Sequence, residues 1–378
     1  MMCHTSAETM LEMDKVLTQA ILKVCSTILT LMTVVTLLGS PHLAKAASVM
    51  APAAADAANS TGIGPNEIGR IPILEYHDIV KGQTLGTYAY PSTQFRADME
   101  WLYEHHYRPI NLSDYVNGWI DCPAGMSPVI ITFDDAMEGQ FRYLTDGKID
   151  PDCAVGILET MNEEHPDWRS KATFFVLTNE AAPMPKPFSA PHEKGTPVQF
   201  RFAEQKMRYL LQAGFEIGNH TLHHSMHLKS MTPAQVEAEF AGGEQGIQKY
   251  LPGYNVQTLA LPYGIFPKDL TTLKSGASGG VNYHNICAMA AGAGPAPSPI
   301  SVAFQPYRIP RIIPGNNKVK PGGAMTIRYW LNQMELHPSQ RFVSDGDPHT
   351  YSIPLKKKRF VNVAWLGTEH FVLRILTN

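Results

Sequence analysis

Short apolar runs in this chain keep ending in ionisable side chains. Val129-Ile130-Ile131-Thr132-Phe133 runs straight into Asp134 and Asp135, and Ile71-Pro72-Ile73-Leu74-Glu75-Tyr76 runs into His77. Phe215-Glu216-Ile217-Gly218 leads into Asn219-His220-Thr221-Leu222-His223-His224. Segments of helical periodicity lie between them. Gln94 to His106 carries Phe95, Met99, Leu102 and Tyr103 on one face; Ala154 to Glu164 reads as a second helix, and Phe202 to Ala213 as a third, closed by Gly214. Thr232-Pro233-Ala234-Gln235 opens a fourth, with an N-cap hydroxyl, proline in the first turn and Gln three residues on. Ala172 to Leu177, Thr258 to Gly264 and Tyr307 to Ile312 supply further strands, and Ala181 to Pro197, rich in Pro, Gly, Ser and His, reads as a surface loop. Strands alternating with helices predict an α/β fold with a parallel sheet covered by helices. Polar residues repeated at strand carboxyl ends predict a (β/α) barrel with its site on that face.

With 44% hydrophobic and 17% charged residues among 378, the chain can bury the core of one large domain. A net charge of −3 with no basic stripe argues against a nucleic-acid partner. The one dense basic cluster, Lys356 to Arg359, reads as a solvated loop or strand edge. Residues 1–46 read as a signal peptide or membrane anchor. Val24 to Leu38 carries no charge, Lys15 and Lys23 precede it, and Ala44-Lys45-Ala46 offers a cleavage site after Ala46. Glu8, Glu12 and Asp14 depart from that pattern, and Met13 is an alternative start. Residues 47–68 read as a flexible spacer, and 69–378 as a single domain whose extension after about 320 the sequence does not assign. This organisation predicts an extracytoplasmic protein that meets a membrane only through an uncleaved leader. Cys122, Cys153 and Cys287 lack metal-binding spacing; one disulfide with one free thiol is open to them.

Two imidazoles and one carboxylate leave open coordination positions, as catalytic zinc requires, and a second carboxylate alongside is free to act as a base. Asp134 and Asp135 cannot both face one pocket from a regular strand, so the chain must turn there; a turn that uses Asp twice would look the same. His220 and His224 share a face in a strand or in a helical turn, whereas four histidines between 220 and 227 also fit a loose surface cluster. Ser344-Asp345-Gly346-Asp347 is better read as a simple turn than as a calcium loop.

Three motifs taken together resemble the polysaccharide deacetylase family, the NodB-like carbohydrate esterases: Thr132-Phe133-Asp134-Asp135-Ala136, Ala172 to Val176, and His220-Thr221-Leu222-His223-His224. The resemblance spans roughly residues 70 to 315. It implies a distorted (β/α) barrel with Asp134 as general base and Asp135, His220 and His224 as ligands of Zn2+, other divalent ions such as Co2+ being possible. Ala260-Leu261-Pro262-Tyr263 stands where the family carries Arg-Pro-Pro-Tyr. Tyr263 would lend its backbone N–H to an oxyanion, while the arginine that orients the base is expected to be missing. Ala136 replaces a glycine, which is costly only if φ is positive. The poly-N-acetylglucosamine deacetylase type carries a Tyr-His-Asp motif, matched by Tyr76-His77-Asp78, and this makes His77 the expected acid, with His337 as the alternative.

The resemblance implies removal of acetyl groups from an extracellular polysaccharide, either peptidoglycan or poly-N-acetylglucosamine. An O-acetyl esterase, a non-catalytic glycan-binding relative and a metal-free carboxylate glycosidase are the rivals. Trp119, Trp168 and Tyr283 are candidate sugar-stacking residues, whereas Trp330 and Trp365 fit a core equally well.

Overall fold

A computed structural model of the chain describes residues 64–82, 88–178, 187–190, 193–315, 325–369 and 371–377. The expected leader, most of the spacer and part of the 181–197 loop lie outside these residues. The centre of the described chain is a curled, wholly parallel seven-stranded sheet. Six of its strands, in chain order, are β1 (Ile73–Tyr76), β2 (Ser127–Phe133), β3 (Thr173–Val176), β4 (Glu216–Asn219), β5 (Thr258–Ala260) and β6 (Cys287–Met289), laid side by side in that order. Tyr107–Pro109 adds a short seventh on β2.

Residues 309–312 draw the two edges together. Ile309 bridges Met289 of β6 and Ile312 bridges Leu74 of β1, both in the parallel sense. Four backbone bonds of 2.7–3.1 Å make these joins. The expected strand 307–312 is thus reduced to its second half, because Pro306–Arg308 forms a 3-10 turn.

Every residue of β2 is buried, because both of its faces are covered. Val129, Ile131 and Phe133 pack outward with Phe95, Met99 and Leu102 of helix α1 (Ser92–Glu104) and Ile157 of α2 (Ala154–Glu164). Ile130 packs inward with Ile73, Phe175, Ala260 and Met289. This alternation has period two and decides the site. The inward set continues along β1 through Glu75 to His77, and along β2 through Thr132 to Asp134. Gly218 of β4 is inward too, and a Cβ there would stand 2.4 Å from the Phe175 ring, so the interior leaves no room for a side chain.

The helices follow their sequence signals. Helix α3 (Ala203–Gln212) ends before Gly214 at φ 82°. Helix α4 (Pro233–Tyr250) has the reciprocal Thr232–Gln235 capping box. Helix α5 (Ile327–Leu336) begins the unassigned extension. Beyond it, Thr350–Pro354 pairs in parallel with Val372–Leu376, and Tyr351 and Ile353 join Ile71, Ile73 and Tyr115 in one buried cluster. The extension is therefore part of the core. Its partner is the end of the expected spacer: Asn66 and Glu67 are buried, and Glu67 accepts the Ser352 N–H at 2.5 Å. Asp345 accepts the hydroxyls of Thr350 and Ser352, as a turn residue would. The three cysteines are buried and free, so the disulfide left open above does not form among them. No helix of the described residues is long and apolar enough to cross a membrane.

Candidate active site

The carboxyl rim of the sheet gathers His77 after β1, Asp134 and Asp135 after β2, His220 and His224 after β4, and Leu261 and Tyr263 after β5 around a cavity of about 250 Å³. Asp134 prolongs the inward face of β2, its N–H donating to the Tyr76 carbonyl at 2.9 Å. The chain then leaves extended geometry. Asp135 lies at φ 74° and Ala136 at φ 53°, and this reversal brings two adjacent carboxylates to one pocket. Ala136 thus sits where glycine is at ease, at a cost of about 1–2 kcal/mol for the left-handed backbone. The Phe188 N–H, bonded to the Ala136 carbonyl at 2.6 Å, helps hold it.

His220 and His224 converge by a similar device, with Thr221 between them at φ 68° and His224 itself at φ 52°. Asn219 fixes the turn, its Oδ1 accepting the Thr221 N–H at 2.8 Å and its amide donating to the Phe240 carbonyl. Gly243 makes room for Asn219, since a Cβ there would lie 2.1 Å from Oδ1. The crowded histidine run is sorted: His223 turns away to Glu239 at 2.7 Å and His227 is exposed.

Asp135 Oδ1 stands 3.3 Å from Nε2 of both His220 and His224. It is buried and has no hydrogen-bond donor. His220 Nδ1 donates to the Ala260 carbonyl at 3.0 Å, which orients the ring with Nε2 toward Asp135. An orphaned buried carboxylate oxygen facing two imidazole nitrogens fits a divalent cation, and this N,N,O set suits zinc with coordination positions left open.

Arg311 was not foreseen as part of the site. It is wholly buried, and its Nη1 and Nη2 donate to Oδ1 and Oδ2 of Asp134 at 2.6 and 2.7 Å. Its Nε donates to the Ala290 carbonyl at 2.9 Å. The expectation that the base lacks an arginine is therefore corrected: the guanidinium comes from the closing segment 309–312, and Ala260 is a packed interior residue. A lone arginine inside an apolar run, Ile309-Pro310-Arg311-Ile312-Ile313, was the signal that could have found it. Glu75 was also missed. It is buried and lines the cavity, and its Oε2 has no donor, the nearest cation being Arg311 Nε at 3.5 Å.

These neighbours set the charges. Burial would raise the Asp134 pKa, but the Arg311 and His220 charges hold it well below the carboxylate range. Burial also works against Asp135, which His220 nevertheless keeps low. For His220, Asp134 and Asp135 outweigh desolvation and raise the pKa. His224 is pushed down to about 4 by burial and by the His220 charge. Glu75 is raised, because desolvation exceeds the pull of Arg311.

His77 is buried beside the carboxylates, with Nδ1 lacking a partner and the Tyr88 ring edge-on at 4.9 Å. His337 is exposed at the end of α5 and does not line the cavity. Of the expected stacking residues, Trp168 and Tyr283 are buried, and the Tyr283 hydroxyl is spent on the Thr272 carbonyl. Trp119 is exposed against His349, but it precedes β2 and so lies toward the opposite end of the sheet. None of the three is positioned to hold a sugar here.

Residues 123–283 match the sequence profile of the polysaccharide deacetylase family. Among solved structures, the chain is similar to the Streptococcus pyogenes deacetylase PplD at 19% identity, covering 64% of this chain and 91% of that one, with a TM-score of 0.45. It is also similar to IcaB from Ammonifex degensii at 15% identity, covering 72% and 97%, with a TM-score of 0.44. A de-N-acetylase from Aggregatibacter actinomycetemcomitans matches at 15% identity over 69% and 99%, with a TM-score of 0.43.

Proposed function

We propose that this chain is a metal-dependent polysaccharide N-deacetylase acting outside the cytoplasm on glycans that contain N-acetylglucosamine. One observation carries the reading: a carboxylate kept ionised by a bidentate arginine stands beside an Asp–His–His set whose carboxylate oxygen has no other partner. The family match over residues 123–283 supports it. Asp135, His220 and His224 would hold the ion, Zn2+ first and Co2+ as an alternative, which supplies Lewis acidity toward the acetamide carbonyl and the attacking water.

Asp134 takes the proton from that water as its oxygen bonds to the acetamide carbon. Arg311 keeps both Asp134 oxygens aligned and the group ionised down to low pH. The Tyr263 backbone N–H donates to the oxyanion that develops. His77, on the β1 side of the cavity, gives a proton to the nitrogen as the carbon–nitrogen bond breaks. Acetate and a glucosamine residue leave.

The glycan-binding alternative drew support from Ala136 and from a missing arginine. Arg311 removes the second of these. The test is acetate release by the fragment from residue 47 onward, zinc-loaded and chelator-stripped, on N-acetylglucosamine oligomers, peptidoglycan and an O-acetylated xylan. Zinc-restored release from the first two, absent in Asp135→Ala, supports the reading. Release from xylan alone supports the esterase, chelator-resistant sugar hydrolysis the glycosidase, and tight zinc binding without acetate the binding protein.

A further inference from the structure

The basic run Lys356 to Arg359 takes no part in the site, yet the fold gives it a defined place. Leu355–Phe360 is a 3-10 run, in which side chains three positions apart fall in line. Lys357 is half-buried, and its Nζ donates to Asn66 Oδ1 at 3.0 Å, so its row faces inward. Leu355 with Lys358 and Lys356 with Arg359 form the two outward rows, and all four are exposed. Arg374, in the same cavity wall as Lys356, is paired with Asp345 at 3.3 Å. Among the described residues Lys356, Lys358 and Arg359 have no such ion pair. Apolar side chains stand between these charges: Leu355 is 53%, Phe360 43% and Val302 61% exposed. The Val302 N–H donates to the Phe360 carbonyl at 2.9 Å, which joins them in one surface.

The surface lies at the amino end of the sheet, away from the cavity. The Phe342 N–H donates to the Arg70 carbonyl at 3.0 Å, ahead of β1, and the Ser127 hydroxyl at the start of β2 donates to the Phe342 carbonyl. The Asn66 N–H donates to the Val343 carbonyl at 2.8 Å, and Asn66 is the residue that holds Lys357. The site stands at the other end of the seven-residue β2, roughly 20 Å along the strand. Gly64, where the described chain begins, lines one cavity of about 730 Å³ with Lys356 and Lys357. The expected leader therefore joins the domain beside the basic run. Its end at Ala46 is 18 positions from Gly64, at most about 60 Å of chain.

We propose that residues 355–360 with Val302 form a face that seats this domain on an anionic lipid bilayer. Lys356, Lys358 and Arg359 meet the headgroups, and Leu355, Phe360 and Val302 enter the boundary beneath them. Unpaired cations interleaved with exposed apolar side chains fit a surface that is anionic outside and apolar below. A soluble polyanion would use the charges and leave the apolar groups in water. The sequence suggests a membrane contact only through the leader; this face adds a second, and two weak contacts together anchor far better than one. Seated this way, the domain turns its carboxyl rim, and the cavity there, away from the bilayer. The extracytoplasmic placement is that of the function proposed above, whereas the face does not depend on the chemistry.

The experiment is co-sedimentation of the chain from residue 47 onward, which keeps every core residue described above, with lipid vesicles. One set is phosphatidylcholine alone and the other an equal mixture with phosphatidylglycerol. The protein is expected to sediment with the mixed vesicles only, and less so at high salt. Replacing the three cations together, Lys356→Gln, Lys358→Gln and Arg359→Gln, should lower that partition by about 10²-fold, since each basic side chain at an anionic surface is worth about a factor of five. Leu355→Ser should lower it by about threefold, which loss of charge alone would not predict. All four positions are exposed, so the thermal midpoint and zinc content of both variants should match wild type. Wild-type protein left in the supernatant, or a triple variant that binds as well as wild type, overturns the proposal. Capture by polyphosphate but not by mixed vesicles overturns it in favour of a soluble anionic polymer. Vesicle binding lost in the triple variant, without acetate release from any glycan, keeps the membrane face and overturns the catalytic reading instead.

Discussion

Arg311 grips both oxygens of Asp134 across 177 positions of chain, with two donor–acceptor distances of 2.6 and 2.7 Å. The pair is buried at the point where residues 309–312 close the barrel, so closure of the fold and alignment of the proposed base are one event. Removing the cation leaves burial as the dominant influence on Asp134. Its pKa then rises, and because the base acts as carboxylate, the acid limb of kcat/KM moves to higher pH. Arg311→Met should show that shift, with activity near neutrality down by about 10²–10⁴. Stability should fall by about 3–5 kcal/mol, since the carboxylate loses its buried partner. An unmoved acid limb in the pH–rate profile would remove Arg311 from this role.

Ala260 occupies the place where the family resemblance implies an arginine, yet restoring one should not help. The residue is fully buried with Phe175, Met289 and Ile309, and the Arg311 guanidinium already lies 5.6 Å from the Phe175 ring. A second guanidinium there would be a large, unpaired buried charge. Ala260→Arg is expected to lower the thermal midpoint, with a loss of roughly 4 kcal/mol or more, and to bring no gain in acetate release.

His77 and His337 separate cleanly in the structure, one buried on the cavity wall and the other exposed at the end of α5. His77→Gln should cut acetate release by about 10²–10⁴ while leaving zinc content unchanged. His337→Gln should leave both unchanged. The reverse pattern would transfer the acid to His337.

Lys206 offers a stability test outside the site. It is fully buried, donates to the Phe188 carbonyl at 2.7 Å, and is pushed down to about 7 by desolvation from an ordinary 10.5. Between those values the unfolded chain binds the proton and the folded chain does not, so this group makes stability rise as pH rises from about 7 to 10.5. Below about pH 7 both states are protonated and the full penalty of the buried charge remains. Lys206→Met should flatten that slope and stabilise the protein near neutrality by up to a few kcal/mol. Denaturant titrations at pH 7 and pH 10 read the difference; equal slopes in the two proteins would show that Lys206 is not buried as a free amine.

The carboxylates, the histidine pair and the alternation of strand and helix were legible in the sequence because each is written within a few residues. Period-two burial names the inward residues once a strand is recognised, and Thr232 and Gln235 announce their helix locally. The family resemblance carried by these motifs implied Asp135, His220 and His224 as the ligands, and the structure brings their donor atoms together. Ala136 was legible only as a question, since its identity does not reveal the sign of φ, and the tertiary turn supplied φ 53°. Trp168 and Tyr283 looked available for sugars because aromatic identity does not encode exposure, which depends on what packs on top.

Arg311 marks the boundary most clearly. Its own segment shows a buried-looking run with a charge, and nothing nearby reveals which carboxylate will meet it. Only the barrel's closure, bringing β6 and β1 to the two sides of residues 309–312, makes that choice. Local sequence fixes which side of an element a residue occupies, because backbone geometry repeats every two or 3.6 residues. Which two sides meet is decided by packing between segments far apart in the chain, and that information exists only when the chain has folded.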